Sequence, residues 1–371
     1  MADRIRAFIR PGTLLWCAVV CSLALLVGLP RTPGRARAQP PAAGVRAAGL
    51  YRHATWAKYQ WFAGAQTSYS KTKSPYIDKP AAIPDAMRAD FVKTMAENGV
   101  GTIFFFVGSL KEGGEIPLWP VTELSPWHGQ EAPIRRMQRE LQKAAPGTRT
   151  LAWIGGRHKG HERGHIDLAD PATRAGIAAL SRRLTGPEFG FDGVHLNIEP
   201  TLERDEHLLA LLDDVSKALP KGKILSFAGT MVLPYVASLP KLRDRFWSEG
   251  YLKEVAARVD QMAFMTYDTA ITSPAVFQWF LALQARTLLS LSVEANPEIE
   301  LFLGVPSYRE ESQFHNSDIE NVGTAVDALS AALPEIGSGR ANLSGLAVYA
   351  SWTTSETDWR VIRERFPVQS P

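Results

Sequence analysis

Cysteine is nearly absent from this 371-residue chain, and the two present, Cys17 and Cys21, share one apolar run near the N-terminus. Residues 39–371 therefore offer no disulfide, no thiolate nucleophile and no zinc–thiolate site, so their stability has to come from packing. A charge excess of either sign is missing as well. The formal net charge is +3, but six of the 41 basic residues and only one of the 38 acidic ones fall in the first 38 positions, leaving 35 basic against 37 acidic residues afterwards. No nucleic-acid footprint is expected from such a balance. Neither a phosphate-cradling glycine loop, a dinucleotide fingerprint nor a Gly-x-Ser-x-Gly elbow occurs, which removes the usual nucleotide-dependent and serine-hydrolase chemistries and leaves no cofactor to expect.

What is present is a globular composition, 45% hydrophobic and 21% charged, behind one long apolar run from Leu14 to Leu29. Arg4, Arg6 and Arg10 precede that run, and Arg31, Arg35 and Arg37 follow it before an Ala-Arg-Ala stretch ends at Ala38. The pattern predicts a signal segment over residues 1–38, cleaved on export to the periplasm or the outside. An uncleaved anchor in the membrane is the alternative, since the run of 16 residues falls just short of the ~17–25 of a spanning helix. A Pro/Ala-rich linker over 39–48 leads into one domain, 49–371.

Within that domain strand-length apolar runs alternate with helical periodicity. The strands read as His53–Trp61, Thr102–Val107, Thr148–Gly155, Gly193–Glu199, Ile224–Gly229, Gln261–Tyr267, Leu301–Val305 and Gly345–Ala350. Between them, Met87, Phe91 and Met95 recur at helical spacing after Pro84 and before Gly99, as do Ile134, Met137 and Leu141; Ile177, Leu180 and Leu184; Leu208, Leu211, Leu212, Val215 and Leu219; and Ile319, Val322, Val326, Leu329 and Leu333. Weaker helical stretches fill Glu249–Arg258, Ala275–Leu291 and Thr357–Phe366. Eight such alternations predict an α/β fold, a closed (β/α)8 TIM barrel, whose active site belongs on the loops after the strands' carboxyl ends.

One strand breaks the expected pattern. In Asp192-Gly193-Val194-His195-Leu196-Asn197-Ile198-Glu199-Pro200 the two-residue period puts Val194, Leu196 and Ile198 on one face and His195, Asn197 and Glu199 on the other. The apolar face is needed against the helices, so the polar trio points into the barrel, where burial is costly without a purpose or partners. A structural network with Glu199 paired to an arginine is one reading. The other makes Glu199 a general acid/base, its pKa raised by desolvation, with Asn197 beside it to hydrogen-bond substrate.

This strand resembles the signature of family 18 glycoside hydrolases, the chitinase-type barrels, whose fourth strand reads Asp-Gly-x-Asp-x-Asp-x-Glu. Met265-Thr266-Tyr267-Asp268, ending the sixth strand, is similar to that family's Met-x-Tyr-Asp. Trp153-Ile154-Gly155-Gly156 resembles its Ser-x-Gly-Gly with Trp for Ser, Gly304-Val305-Pro306-Ser307-Tyr308 resembles its Gly-x-Pro-x-Tyr, and Trp352 falls where the family keeps a floor tryptophan. The resemblance implies hydrolysis beside an N-acetylhexosamine, with the substrate's own acetamido oxygen attacking the anomeric carbon, an exception to the two-carboxylate scheme. It further implies Glu199 as the acid, Asn197 and Tyr267 as catalytic partners holding the acetamido group, and Asp268, Trp352, His195, Tyr308 and Met265 as substrate contacts, with no metal. A polysaccharide or glycan containing that sugar is the implied partner. This chain departs from the family at the two aspartates replaced by His195 and Asn197, and the neutral Asn197 can orient but adds no charge. An Asn two residues before the acid is similar to the arrangement in the family 85 endo-β-N-acetylglucosaminidases.

Two other functions stay open. A two-glutamate retaining glycosidase would place Asn directly before its acid and a nucleophile at the seventh strand's end; here Ile198 intervenes, and no glutamate occurs in Leu301–Tyr308 before Glu310. A non-catalytic carbohydrate-binding envelope protein fits the altered His195 and Asn197 but has less use for Glu199, Tyr267 and Asp268. His158, His161 and His165 follow the third strand with glycines and basic neighbours, which favours a solvated or substrate-contacting loop over a metal site. Trp119, Trp127, Trp247, Trp279 and Trp359 read as packing or rim residues, with Trp119 and Trp127, on the long loop after the second strand, the two to test for sugar stacking.

Overall fold

The computed structural model describes residues 52–63, 83–116, 132–160, 164–233 and 245–367. The expected signal segment and linker, Trp119, Trp127 and His161 lie outside the described residues. The strands are β1 (His53–Ala57), β2 (Val100–Ser109), β3 (Arg149–Arg157), β4 (Gly193–Glu199), β5 (Ile224–Gly229), β6 (Met231–Val232), β7 (Phe246–Trp247), β8 (Gln261–Phe264), β9 (Glu300–Pro306) and β10 (Leu343–Tyr349). Eight of them close into a parallel barrel in the order β1-β10-β9-β8-β5-β4-β3-β2, while β6 and β7 pair only with each other. This is the (β/α)8 barrel that the alternation predicts.

The helices are α1 (Gln60–Ala63), α2 (Asp85–Glu97), α3 (Pro133–Ala144), α4 (Pro171–Thr185), α5 (Glu206–Ala218), α6 (Glu249–Ala256), α7 (Pro274–Ala295), α8 (Val322–Ala332) and α9 (Glu356–Arg365). Several of their starts are set by short polar side chains that take the free N–H groups of the first turn. Asp170 accepts from Ala172 and Thr173 ahead of α4, Asp205 from His207 and Leu208 ahead of α5, and Ser355 forms a reciprocal capping box with Asp358 at α9.

Strand alternation sorts the core into two parts. Ile103, Phe105, Ile154, Val194, Leu196, Met262, Leu303 and Val348 face outward under the helices. Trp56, Phe104, Trp153 and Phe302, fitted against Ala54, Ala263 and Ala347, fill the barrel itself. Large rings opposite alanines reach the close packing that a core requires. Trp247 and Trp359 are buried and Trp279 packs against the outer core, as expected of packing residues.

Three sequence expectations need correction. The strand expected to reach Tyr267 stops at Phe264: the Met265 N–H to the Gly229 carbonyl, at 2.8 Å, is the last ladder bond to β5, and positive φ at Asp268 and Ala270 then turns the chain away. The first strand ends at Ala57 rather than Trp61, and the chain bends at once into α1. Met87, read as part of an apolar helix face, is 45% exposed on the first turn of α2.

Candidate active site

β4 delivers its residues to the barrel interior in layers. His195 is the deepest of the polar trio and fully buried. Trp56 Nε1 donates to its Nε2 at 3.2 Å, its Nδ1 donates to Ser226 Oγ at 2.8 Å, and its ring stacks on Phe104 with centroids 3.9 Å apart. Desolvation pushes its pKa down to about 3, so it is a neutral imidazole with both nitrogens used. The expectation of a substrate contact at His195 therefore does not hold: the ring is floor packing, inaccessible to a sugar.

Asn197 lies one layer above, opposite Gly155 on β3. Its Oδ1 is buried without a hydrogen-bond partner among the described residues. An acceptor left bare in this way costs about 1–3 kcal/mol, which a donor on a bound molecule would recover. Trp153 Nε1 is a second buried, unpartnered group in the same interior. Sequence comparison registers Trp153 only as a variant letter of a short motif, while the structure puts it edge-on to Tyr349 at 6.4 Å, inside the mouth.

Glu199 ends β4 at that mouth. The residue is open to solvent, yet protein crowds its carboxyl. That desolvation first, and the charge of Asp268 second, raise its pKa, while Arg157, its partner across the β3–β4 ladder, pulls the other way. Among the described residues no side chain pairs with the Glu199 carboxyl, only its backbone carbonyl accepting from His158 at 2.7 Å. A structural ion pair is thus not what holds it. Instead its position suits a proton donor to something entering the cleft.

Beyond β8 the segment Met265–Asp268 curls over the mouth. Thr266 Oγ1 donates to Gly304 at 2.6 Å, and a Cβ at Gly304 would come within 2.3 Å of the Phe264 carbonyl and 3.0 Å of the Tyr267 ring, so only glycine lets the ring sit there. Met265 is half-buried at the strand exit. Tyr267 stacks on Tyr349 with centroids 5.7 Å apart and meets the edge of Tyr308 at 6.2 Å. Burial, then the neighbouring Tyr349, Tyr308, Asp268 and Glu199, hold its hydroxyl far above the usual phenol pKa, so it stays a hydrogen-bond donor.

Asp268 is pinned on both ends. Its N–H donates to Glu320 at 2.7 Å, and its Oδ1 accepts from the Tyr308 hydroxyl. His315 Nδ1 sits 3.4 Å from Asp268 and 3.6 Å from Glu320. Burial alone would lower the His315 pKa, but the two carboxylates outweigh it and raise it to about 9. This has a consequence for stability. A pKa of about 6.5 in the unfolded chain and about 9 in the fold contributes on the order of 1–3 kcal/mol, toward the lower end because both contacts are long for hydrogen bonds. The contribution is complete below pH 6.5 and disappears as pH rises through about 9. The melting temperature is expected to fall over that interval in the native protein and to lose this component in His315→Gln; equal slopes would remove His315 as its source.

Asp268, His315 and Glu320 also place one potential metal-ligand atom each within 4.8 Å of the others. The Glu320 oxygens are already taken by Asp268 N–H, Thr269 N–H at 3.0 Å and the Thr269 hydroxyl at 2.6 Å, and the protonated His315 is itself the cation between the carboxylates. The donor set fits a buried imidazolium better than a metal. His158 and His165 do not converge: His158 Nε2 is 3.5 Å from Asp205, and His165 Nε2 is 2.8 Å from the Leu110 carbonyl.

Trp352 follows β10, is 38% exposed, and stands edge-on to Tyr349 at 5.8 Å with the Lys58 ammonium 5.4 Å from its ring centre. An exposed indole beside a polar cleft is a natural platform for a flat apolar surface. The structure so gathers Asn197, Glu199, Tyr267, Asp268, Tyr308 and Trp352 around one mouth and leaves His195 beneath it. Arg157, Trp153, Tyr349, His315 and Glu320 join them unannounced.

Comparison with known proteins follows the same lines. The family described as glycosyl hydrolases family 18 matches residues 103–358. Among curated proteins no match was found. Similar solved structures include a chitinase from Chromobacterium violaceum (13% identity, TM-score 0.55, 86% of this chain and 100% of that one). The Bacillus cereus spore cortex-lytic enzyme SleL aligns at 13% identity and TM-score 0.54, over 96% and 85% of the two chains. A plant class V chitinase mutant from Cycas revoluta, in complex with (GlcNAc)3, aligns at 14% identity and TM-score 0.51, over 86% and 100%.

Proposed function

Because the chain belongs to the glycosyl hydrolases of family 18, we propose that it cleaves glycosidic bonds next to an N-acetylhexosamine, with Glu199 as the acid and the substrate's acetamido group as the nucleophile. The observation that carries this reading is Glu199 itself: a carboxyl at the barrel mouth, unpaired among the described residues, with its pKa raised by crowding and by Asp268. Such a group keeps its proton to higher pH than an ordinary carboxyl does and can give it to a leaving oxygen. The acetamido carbonyl then closes on the anomeric carbon, and Glu199, now a base, activates the water that opens the ring intermediate. Asn197 Oδ1, a buried acceptor with nothing to accept, is suited to the acetamido N–H, and the Tyr267 hydroxyl to its oxygen. The cycad chitinase, whose structure holds (GlcNAc)3, supports an N-acetylglucosamine polymer as the first substrate to try. We place the action outside the cytoplasm, through the signal segment at residues 1–38, with membrane anchoring as the alternative.

Trp352 is the proposed apolar floor under the sugar. Trp352→Ala is expected to raise KM about 5- to 10-fold, corresponding to roughly 1 kcal/mol of stacking, with a smaller change in kcat. An unchanged KM would take the ring out of the binding site.

A second reading, sugar binding without turnover, is favoured by the missing charge at Asn197. Glu310, the nearest candidate for a second glutamate after β9, is exposed, and nothing marks it as a nucleophile. The deciding assay is release of reducing ends from a panel of N-acetylglucosamine-containing polymers, with Glu199→Gln in parallel. Release by the native protein alone supports the hydrolase; binding without release by either supports the second reading.

A further inference from the structure

The loop between β9 and α8 carries a histidine that the proposed chemistry does not use. His315 is 2% exposed, and among the described residues neither ring nitrogen has a hydrogen-bond partner. Its Nδ1 is aimed between two carboxylates, Asp268 at 3.4 Å and Glu320 at 3.6 Å, and its ring lies against Tyr308 with centroids 4.1 Å apart. Glu320 is fully buried and accepts from the N–H of Asp268, the N–H of Thr269 and the Thr269 hydroxyl. These three bonds hold Asp268 at φ 60°, a conformation that residues with a Cβ rarely adopt.

We propose that His315 and Glu320 are positioning residues, which together fix the backbone and the negative charge of Asp268 in front of Glu199. Glu320 works on the backbone and His315 on the charge. The Asp268 side chain is 48% exposed, and the Tyr308 hydroxyl holds only its Oδ1, so loss of the His315 cation leaves it freer to turn toward water. Such a turn takes negative charge away from Glu199, and with it part of what raises the pKa of the acid. Among the described residues the charges acting on Glu199 are Asp268 and, opposing it, Arg157 from β3, with the un-ionised Tyr267 hydroxyl as a further neighbour. Around His315 stand Asp268, Glu320, Tyr308 and, on its own loop, Glu311, with Arg245 stacked over the adjacent Phe314 at 3.7 Å. The network is thus acidic on balance at the imidazole, which is what a buried cation requires.

The effect on catalysis rests on the proposed hydrolase reading, but the arrangement is testable without it. The Glu199 carboxyl is titrated by NMR in protein carrying 13C-labelled glutamate, its resonance identified by its absence in Glu199→Gln. His315→Gln is expected to lower the Glu199 pKa by about half a unit or more, a roughly threefold drop in the protonated fraction on the alkaline side. Asp268→Asn is expected to lower it at least as far, and the double variant no further than Asp268→Asn alone, because His315 acts through Asp268. A pKa unmoved by His315→Gln, or a shift that adds to that of Asp268→Asn, overturns the proposal. Should His315→Gln fail to fold, the native protein still answers: the His315 imidazole must stay protonated through pH 8, and titration below pH 7 contradicts it. In an active enzyme the alkaline limb of the rate profile moves down with Glu199. Absence of any turnover would sink the hydrolase reading and leave the titration result standing.

Discussion

Glu199→Gln is expected to abolish hydrolysis, by ~10²–10⁴-fold as judged from what general acid–base groups contribute, while melting and sugar binding stay close to native. The amide keeps the size and the hydrogen-bonding outline of the acid but has no proton to give and no base to regenerate. The fold has no stake in the charge, since among the described residues no cation pairs with this carboxyl, and Arg157 acts on it only at a distance. Removing an acid whose pKa is raised also relieves, rather than creates, an unfavourable burial. A variant that retained native turnover would remove Glu199 from the mechanism. One that failed to fold would show that the carboxyl is structural.

Asn197→Asp has the second largest expected effect, and its direction discriminates more. If the reaction passes through an oxazolinium ion, a carboxylate beneath the ring stabilises positive charge that the present amide leaves uncompensated. Electrostatic groups of this kind are worth about 10²–10³ in rate, so kcat is expected to rise toward that range. The site has room for it: Asn197 faces Gly155, its oxygen is unpartnered, and His195 below is neutral and cannot quench the new charge by pairing. A nearby carboxylate also raises the Glu199 pKa further, so the alkaline limb should move upward at the same time. A clear loss of activity would instead mean that the amide is fitted to its role, as an orienting group in a site that gets its electrostatics elsewhere.

The sequence carries the fold in its periodicities, and the site in one violation of them. Alternation in Gly193–Glu199 gives the face of each residue correctly, because Val194, Leu196 and Ile198 pack outward and His195, Asn197 and Glu199 inward. What alternation lacks is depth. His195 and Glu199 share a face, yet one is sealed between Trp56, Phe104 and Ser226 and the other opens to solvent. The barrel's layering decides that, and layering depends on seven other strands. The early end of β8 is likewise a tertiary effect: Met265 makes the last ladder bond to Gly229, after which Gly304 takes the Thr266 hydroxyl and Glu320 takes the Asp268 and Thr269 N–H groups. His315 and Glu320 left no local signal at all. They sit in an aperiodic polar stretch before α8, and only closure of the barrel brings them to Asp268. Trp153 was visible only as a mismatch to a short motif, although its unpartnered indole nitrogen is as exceptional as the Asn197 oxygen.

The central claim is that Glu199 works with the substrate's own acetamido group. The measurement that meets it most directly is the hydrolysis rate on two β-linked oligosaccharides of equal length, one N-acetylated at the sugar preceding the scissile bond and one carrying the free amine there. The account predicts cleavage of the acetylated oligomer and none detectable of the amine. Comparable rates on both would show that the nucleophile comes from the protein or from water, and would contradict it.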